Sequence, residues 1–478
     1  MTERIVIIGN GMAGSRLAGE LHARGGDRKV TVLGAEPHRA YNRIMLSTLL
    51  TGRIREPDVE LAEAAGQGVD LRTGVTVTAI DRAAGTVHTD DGDRLAYDQL
   101  VLATGSRAVV PPLPGLDGPE LPERVVPFRT LDDCRRILAA ADGARAALVL
   151  GGGLLGLEAA RGLAARGLDV GVVHPVPYLM ERQLDPAAAA VLAGTLAGLG
   201  VTTHLAVSAT RVVADADGVR LDLADGRSLA ADLLVLSCGV RPDTALARAA
   251  GLDVERGVLV DDRLRTSDPR ISAIGDCAQH DGALTGLVAP AWAQARVVAQ
   301  LLAGEDPGAR YRPRPPVTRL KAAGIDLAAM GDPGDGGTGE ELTFADPARG
   351  TYARLRIHDE RLTAAILLGD NPAVGTVIQL FDRGQPVPAD RRSLLLGRAF
   401  GAAAAPAATP ALMPDAATVC QCNDVSKGAL VGCWRSGART VDAVVAATRA
   451  GTGCGGCRDA VAGIVGWLSE VDSVEVTR

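Results

Sequence analysis

A short β-branched run, Ile5–Ile8, passes directly into Gly9-Asn10-Gly11-Met12-Ala13-Gly14, and a helical pattern follows from Ser15 to about Arg24. Val30–Leu33 reads as the next strand, with Glu36 just beyond it. A continuous β-branched run without polar alternation suits a strand buried on both faces of a parallel sheet. The same order then returns. Ala146–Leu150 is apolar, Gly151-Gly152-Gly153-Leu154-Leu155-Gly156 follows, a helix runs from Leu157 to about Arg166, and Val170–Val173 leads to His174. One glycine-rich turn constrains little, because such turns are common. Two, each in register with strand and helix, predict an α/β fold with two Rossmann-like dinucleotide-binding domains.

Each turn has a physical logic. The first glycine (Gly9, Gly151) permits a tight bend. The second (Gly11, Gly153) leaves no Cβ where backbone must approach a pyrophosphate, and the third (Gly14, Gly156) lets helix pack closely on strand. The pyrophosphate then rests on the positive end of the helix. Met12, Ala13, Leu154 and Leu155 complete the two candidate cradles.

The length of 478 residues predicts several domains. Strands at Tyr352–Ile357 and Leu362–Leu368 alternate as antiparallel strands do, which predicts a small α+β domain. Residues 401–417 are rich in alanine and proline and read as a linker. The expected division is 1–113 with 230–308, 114–229, 309–400, the linker, and a small helical domain over 418–478. A net charge of -7 gives no footprint for nucleic acid or anionic lipid. All but three of the 50 basic residues are arginine, a compositional bias from which no function is read. The N-terminus enters a strand at once and no apolar run reaches the ~20 residues of a membrane span, so a cytoplasmic protein with no membrane contact is expected.

Five of the eight cysteines crowd into the C-terminal region. Cys420-Gln421-Cys422 and Cys454-Gly455-Gly456-Cys457 form two close pairs, the donor set of a tetrahedral sulfur site for zinc or iron–sulfur. The glycines around Cys454 and Cys457 leave backbone N–H groups free to bond cluster sulfurs, which favours an iron–sulfur cluster. Cys433 reads as a small apolar helix residue. Cys238 and Cys277 are given no redox role.

Further motifs carry a resemblance. Tyr97–Ser106 contains a strand ending in Ala103-Thr104-Gly105, and Thr266–Ala278 one ending in Gly275-Asp276. With the two turns, these resemble the pyridine-nucleotide-dependent flavoprotein reductases over about residues 1–330, which implies a glutathione-reductase-like arrangement. The resemblance implies FAD at the first turn and the nicotinamide cofactor at the second. Asp276 would hold the flavin ribityl chain, a role suited to a hydrogen-bond-accepting carboxylate. Glu36-Pro37-His38-Arg39-Ala40-Tyr41-Asn42-Arg43 is similar to ferredoxin reductases and to assimilatory nitrite reductase large subunits. That likeness places Arg43 near FAD and Val77 near the adenine, and adds Gly239 to the cofactor-binding set. Ferredoxin reductases usually carry an acid at position 35 and a lysine at 48. Ala35 and Thr48 fit the nitrite reductase branch better, as do Leu179–Asp185 and Thr318–Asp326. The segments 419–426 and 448–454 resemble the bacterioferritin-associated ferredoxin type of 2Fe-2S domain, which implies Cys420, Cys422, Cys454 and Cys457 as ligands.

Two positions keep alternatives. Glu158 faces the nicotinamide carboxamide by resemblance, or is an ordinary first-turn helix glutamate. His174 stands where an acid would favour NADH and an arginine pocket NADPH. NADH is favoured by resemblance, and the other reading of His174 is a plain surface histidine. No cysteine precedes Cys134, so thiol–disulfide exchange at the flavin is not expected.

Hydride from NAD(P)H would thus reach a one-electron 2Fe-2S cluster through FAD, with no catalytic acid or base required of the protein. The expected acceptor is a catalytic partner, an assimilatory nitrate or nitrite reductase, because no further cysteine set is present for reducing nitrite within this chain. A homodimer interface on residues 310–398 is implied by resemblance. Two other readings stay open: a dehydrogenase subunit oxidising an amine or opine, and a non-enzymatic redox sensor.

Overall fold

The computed structural model describes residues 2–61, 69–216, 218–320, 322, 324–332, 334, 339–371, 373–396, 410–420, 423, 425–452 and 457–476. They form two compact units, Met1–Gly156 with Ser208–Pro316, and Leu157–Val207 with Val317–Arg478.

In the first unit, Glu3–Ile8 is the central strand of a five-stranded parallel sheet. The order is Ile271–Ala273, Gln99–Leu102, Glu3–Ile8, Arg28–Gly34, Val69–Thr73. Both faces of the central strand are covered, which explains its unbroken apolar run. Ile5 and Ile7 pack with Leu17, Leu21, Val298 and Ala299 of the helices Met12–Ala23 and Val288–Ala303. Val6 and Ile8 face the other way, toward Val87, Tyr97 and Leu252. Each such buried side chain contributes about 1.5–3 kcal/mol. A second parallel set lies in the same unit, with Leu233–Leu236 between Ala146–Leu150 and Val125–Pro127.

The two sets share a construction detail that periodicity does not show. Asp98, just before Gln99–Leu102, accepts a hydrogen bond from the backbone N of Arg4 at 2.8 Å. Asp232, just before Leu233–Leu236, accepts from the backbone N of Arg145 at 2.7 Å and of Ala146 at 3.0 Å. Each carboxylate thereby fixes the register of a strand opening onto a glycine turn. The segments that follow, Asp98–Gly105 and Asp232–Gly239, run in parallel: an aspartate, a buried apolar strand, then a glycine with positive φ.

In the second unit, Asp169–Val173 pairs in parallel with Val201–His204. Between them the helix Pro186–Gly198 is capped by Asp185, which accepts from Ala188 N at 2.8 Å. The unit also holds a five-stranded antiparallel sheet in the order Val317–Leu320, Leu327–Met330, Arg361–Leu368, Thr351–His358, Glu340–Asp346. Its apolar face closes on Val377 of the helix Val374–Arg383.

At the C-terminus a small hairpin, Thr418–Cys420 with Val425–Ser426, precedes helices Lys427–Arg435, Val441–Thr448 and Arg458–Val476. Ser426 and Thr440 cap the first two, as their residue types predict. Leu430, Trp434, Val444, Val461 and Ile464 form the core of this part. The linker expected over 401–417 needs correction at its end. Residues 410–417 fold against these helices, because the buried Lys427 draws them in. Its Nζ donates to Met413 O at 2.7 Å, pairs with Asp415 at 3.2 Å, and lies 5.2 Å from the centre of the Trp467 ring. Residues 401–409 lie outside the described residues.

Two helices begin earlier than their sequence patterns suggest, at Met12 and Leu154 rather than Ser15 and Leu157. The last residues of each glycine turn are already helical. Among the described residues, no helix is long and apolar enough to cross a membrane.

Candidate cofactor sites

At the first turn Gly9 has φ +113°, and a Cβ there would land on the Ala103 carbonyl oxygen. A Cβ on Gly14 would land on the carbonyl oxygen of Gly9. Gly11 differs: nothing lies within 4 Å of its Cβ direction. The turn is therefore sterically closed at its ends and open in its middle, where a pyrophosphate needs room. The helix it opens has no side-chain cap and no acid in its first turn, so its N–H groups are available to an anion. The Asn10 amide nitrogen is buried in the turn without a hydrogen-bond partner. These features fit a dinucleotide. Met12 and Ala13 lie in the first helical turn. Met12 O accepts from the Trp292 indole at 3.1 Å, and Ala13 lies against Gly275.

Glu36, beyond the second strand, pairs with the Arg43 guanidinium and accepts from the Tyr41 hydroxyl at 2.8 Å. Arg43 also stacks 4.9 Å from the Tyr41 ring centre and donates to Arg129 O at 3.3 Å. Burial pushes the Tyr41 hydroxyl well above its ordinary pKa. Two of the predicted residues, Glu36 and Arg43, thus meet directly. Val77 opens the strand Val77–Asp81 and packs on the core holding Ile8 and Leu33. The chain before it is tied to the second strand, with Gly74 N donating to Glu36 O and Val75 N to Gly34 O, both at 3.0 Å.

Asp276 is joined to residues that the sequence did not single out. Its Oδ2 accepts from Ser106 Oγ at 2.8 Å and from Arg129 Nη2 at 2.6 Å, and Arg129 Nη2 also donates to Ser106 Oγ at 2.7 Å. The neighbouring predicted residues are built around this cluster. Gly275 N donates to the buried Gln294 Oε1 at 2.7 Å. Thr104 Oγ1 donates to Asp243 O at 2.6 Å, and Gly105 O accepts from Asp243 N at 2.9 Å. Ala103 lies under Gly9 and Gly14. No motif marks Arg129, which reaches Asp276 only through tertiary folding.

The second turn repeats the first. A Cβ on Gly151 would strike the Ser237 carbonyl oxygen, one on Gly156 would strike the carbonyl oxygen of Gly151, and Gly153 has nothing within 4 Å. Leu154 and Leu155 begin its helix. Gly239 has φ +95° and open space at its Cβ direction, and its carbonyl accepts from Val109 N at 3.0 Å. Beside it, burial pushes the Cys238 thiol up to about 11, consistent with no redox role.

In the second unit Glu158 and His174 are both buried. Because the helix starts at Leu154, Glu158 lies beyond the first turn, so the first-turn reading is corrected. The surface reading of His174 is also corrected. It ends Asp169–Val173, its backbone N donates to His204 O at 2.9 Å, and its Nε2 lies 3.1 Å from Glu181 Oε2.

Of the cluster cysteines, Cys420 (2% exposed) and Cys457 (9%) belong to one buried core, while Cys422 and Cys454 lie outside the described residues. Cys457 immediately precedes the helix Arg458–Val476 and its carbonyl accepts from Val461 N at 2.9 Å. A helix N-terminus favours the thiolate a metal requires. Asn423 bridges the two cysteine segments, its amide donating to Arg449 O at 2.6 Å and to Thr452 Oγ1 at 3.2 Å. Two buried thiols, beside segments that Asn423 joins, fit sulfur ligation. Cys134 is buried, its thiol directed at Leu46 O at 3.7 Å.

Two dinucleotide turns and a separate cysteine domain define a class of flavin- and nicotinamide-dependent reductases. Family matching agrees in all parts. Residues 3–297 match the pyridine nucleotide-disulphide oxidoreductase model, 316–382 the rubredoxin NAD+ reductase C-terminal domain, and 418–467 the BFD-like [2Fe-2S] binding domain. The chain belongs to the pyridine nucleotide-disulphide oxidoreductase family. It is an NAD(P)H-dependent FAD oxidoreductase carrying a 2Fe-2S-binding domain. It is similar to a nitrite reductase [NAD(P)H] of Bacillus subtilis (strain 168), 36% identical over 96% of this chain and 57% of the relative. It is also similar to the assimilatory nitrate reductase electron transfer subunit of the same organism, 35% identical over 98% of this chain and 60% of the relative. The chain thus spans less than two thirds of these relatives' length. Among solved structures, the ferredoxin reductase for the CYP199A2 system from Rhodopseudomonas palustris matches with a TM-score of 0.73 and 27% identity, over 84% of this chain and all of that one.

Proposed function

We propose that this chain is the electron-donating part of an assimilatory nitrate or nitrite reductase system, passing electrons from NAD(P)H to a catalytic partner in the cytoplasm. One observation carries the reading: a single chain joins two dinucleotide turns of matching shape to a cysteine-bearing domain with its own core. Its two Bacillus subtilis relatives support the choice of partner.

FAD held by the chain would supply the conversion of a two-electron hydride donor to one-electron delivery toward a 2Fe-2S cluster. The chain's residues orient and hold. In this reading the first turn (Gly9, Gly11, Met12, Ala13, Gly14) takes the FAD pyrophosphate, and Glu36, Arg43 and Val77 take the adenosine end. Ala103, Thr104, Gly105, Gly275 and Asp276 shape the flavin side, and Arg129 keeps the Asp276 carboxylate aimed. The second turn (Gly151, Gly153, Leu154, Leu155, Gly156), with Glu158, His174 and Gly239, serves the nicotinamide cofactor. Cys420, Cys422, Cys454 and Cys457 ligate the cluster. The functional parts follow the boundaries 1–113 with 230–308 (FAD), 114–229 (NAD(P)H), 309–400 (a homodimer interface) and 418–478 (cluster).

The test is reconstitution. Anaerobic chain reduced with NADH should lose its flavin absorbance and gain the rhombic one-electron EPR signal of a 2Fe-2S cluster. With the purified catalytic partner it should drive nitrate or nitrite reduction. Flavin reduction with neither cluster signal nor partner turnover would refute the proposal.

A further inference from the structure

We infer that Tyr41 couples the two ends of the first nucleotide site, so that the ADP half and the riboflavin half of FAD bind interdependently, which rests on the reading of Gly9–Gly14 as the FAD turn.

One short segment, Arg129–Leu131, is bonded to both ends of that site. Its side chain serves the flavin end, where Arg129 Nη2 donates to Asp276 Oδ2 at 2.6 Å and to Ser106 Oγ at 2.7 Å. Its backbone serves the adenosine end. The Arg129 carbonyl accepts from Arg43 Nη1 at 3.3 Å, and Leu131 N donates to the Tyr41 hydroxyl at 3.0 Å. Tyr41 in turn donates to Glu36 Oε2 at 2.8 Å, and Arg43 pairs with the same carboxylate. The groups at the two ends are thus fixed against the same two peptides.

A segment that bent would absorb a displacement at one end before it reached the other. This one is held stiff. Arg129 N and Thr130 N donate to Asp133 Oδ2 at 3.1 and 2.8 Å, and Asp133 N donates to Thr130 Oγ1 at 3.1 Å, the reciprocal cap of the helix Leu131–Ala141. A hydrogen-bonded chain through a rigid element is what carries coupling between sites.

Tyr41 is the link that can be cut without touching a group assigned to the cofactor. Its residue is 4% exposed, and both roles of its hydroxyl are taken by protein partners. Leu131 N is a first-turn amide with no partner inside its own helix, so the phenol satisfies a donor that would otherwise be orphaned. Burial holds the hydroxyl well above its ordinary pKa, which keeps it a neutral donor toward Glu36. Tyr41 is therefore a positioning residue, acting through Glu36 on one side and through the start of a helix on the other.

The experiment titrates riboflavin into the full chain stripped of flavin, with and without saturating ADP, and follows riboflavin fluorescence. The two ligands together make up FAD save for one bond. In wild type ADP should tighten riboflavin binding about fivefold or more, the usual size of a coupling between sites. Tyr41→Phe should bring that factor close to one. A tyrosine of merely structural value would weaken each ligand alone and leave the factor between them, an outcome that overturns the inference. A wild type in which ADP leaves riboflavin affinity unchanged overturns it without any variant. The factor should persist in Gly156→Val, which closes the second turn to ADP; its loss there would put the effector at the wrong turn and also overturn the coupling. Riboflavin and ADP binding that both survive Gly14→Val would instead refute the assignment of the first turn, so the two failures are told apart.

Discussion

The Gly9–Gly14 turn leads, one strand later, to a carboxylate already tied to Arg43 and Tyr41. Beyond the Gly151–Gly156 turn the corresponding strand ends on a buried histidine, and a carboxylate is brought back to it by a strained bend. The turns themselves are sterically alike, closed at first and third glycine and open at the second. What a phosphate backbone requires has therefore been kept in both places. The two strand ends are where they differ, at positions where a side chain can change without disturbing the sheet.

Substituting the third glycine separates the two turns most sharply, because a side chain there strikes the turn's own carbonyl. Gly14→Val should yield chain purified without flavin. Gly156→Val should keep its yellow colour but reduce a dye with NADH slower by on the order of a hundredfold. The opposite pattern would mean the turns have been assigned the wrong way round. Next in size is the asymmetry at Asp276. Arg129→Ala should weaken FAD retention by roughly tenfold to a hundredfold, as expected for a charged hydrogen bond, and leave the KM for NADH unchanged. Flavin fluorescence on dilution measures the first. A change in KM alone would move Arg129 to the nicotinamide side.

The strand end beside Gly239 offers a smaller contrast. With its thiol pushed to about 11 by burial, Cys238 should react with iodoacetamide at pH 8 roughly a hundredfold slower than an open cysteine. Rapid labelling, read by mass spectrometry, would show this strand end to be open. Smallest is the paired aspartate device. Hydrogen bonds from Arg4, led by its side chain, hold Asp98 at about 2. Backbone hydrogen bonds from Arg145 and Ala146 lower Asp232 as well. A depressed carboxylate stabilises the fold above its ordinary value near about 4. That contribution fades as pH falls, for Asp98 through about 2. Because such pairs are exposed, Asp98→Asn and Asp232→Asn should each lower the melting temperature at neutral pH by roughly one or two degrees. The deficit should shrink as the solution is acidified, and one that widened would contradict the linkage.

Much of this was legible from residues alone, for stateable reasons. Glycine turns and β-branched runs are local signals, so both nucleotide units and the antiparallel pair at Thr351–His358 and Arg361–Leu368 could be read directly. Ser426 and Thr440 declared themselves as caps because capping is a matter of a few residues. Arg129, Gln294 and Glu181 stayed hidden because each meets its partner through the fold and not through spacing. The parallel between Asp98–Gly105 and Asp232–Gly239 was visible in principle and would have flagged both aspartates. The linker was drawn too long because alanine and proline set its composition, while one buried lysine set where it ended.

The Asn423 bridge bears on how the cluster domain is made. Its amide holds together two cysteine segments that lie far apart in the chain, using only protein partners. Part of the loop-closure entropy of joining these two segments is therefore offset by protein hydrogen bonds. The helices around those segments have an apolar core of their own, with Leu430, Trp434, Val444, Val461 and Ile464 in it. Loss of the Asn423 amide would therefore loosen the two segments from each other while leaving the apolar core that carries the helices in place.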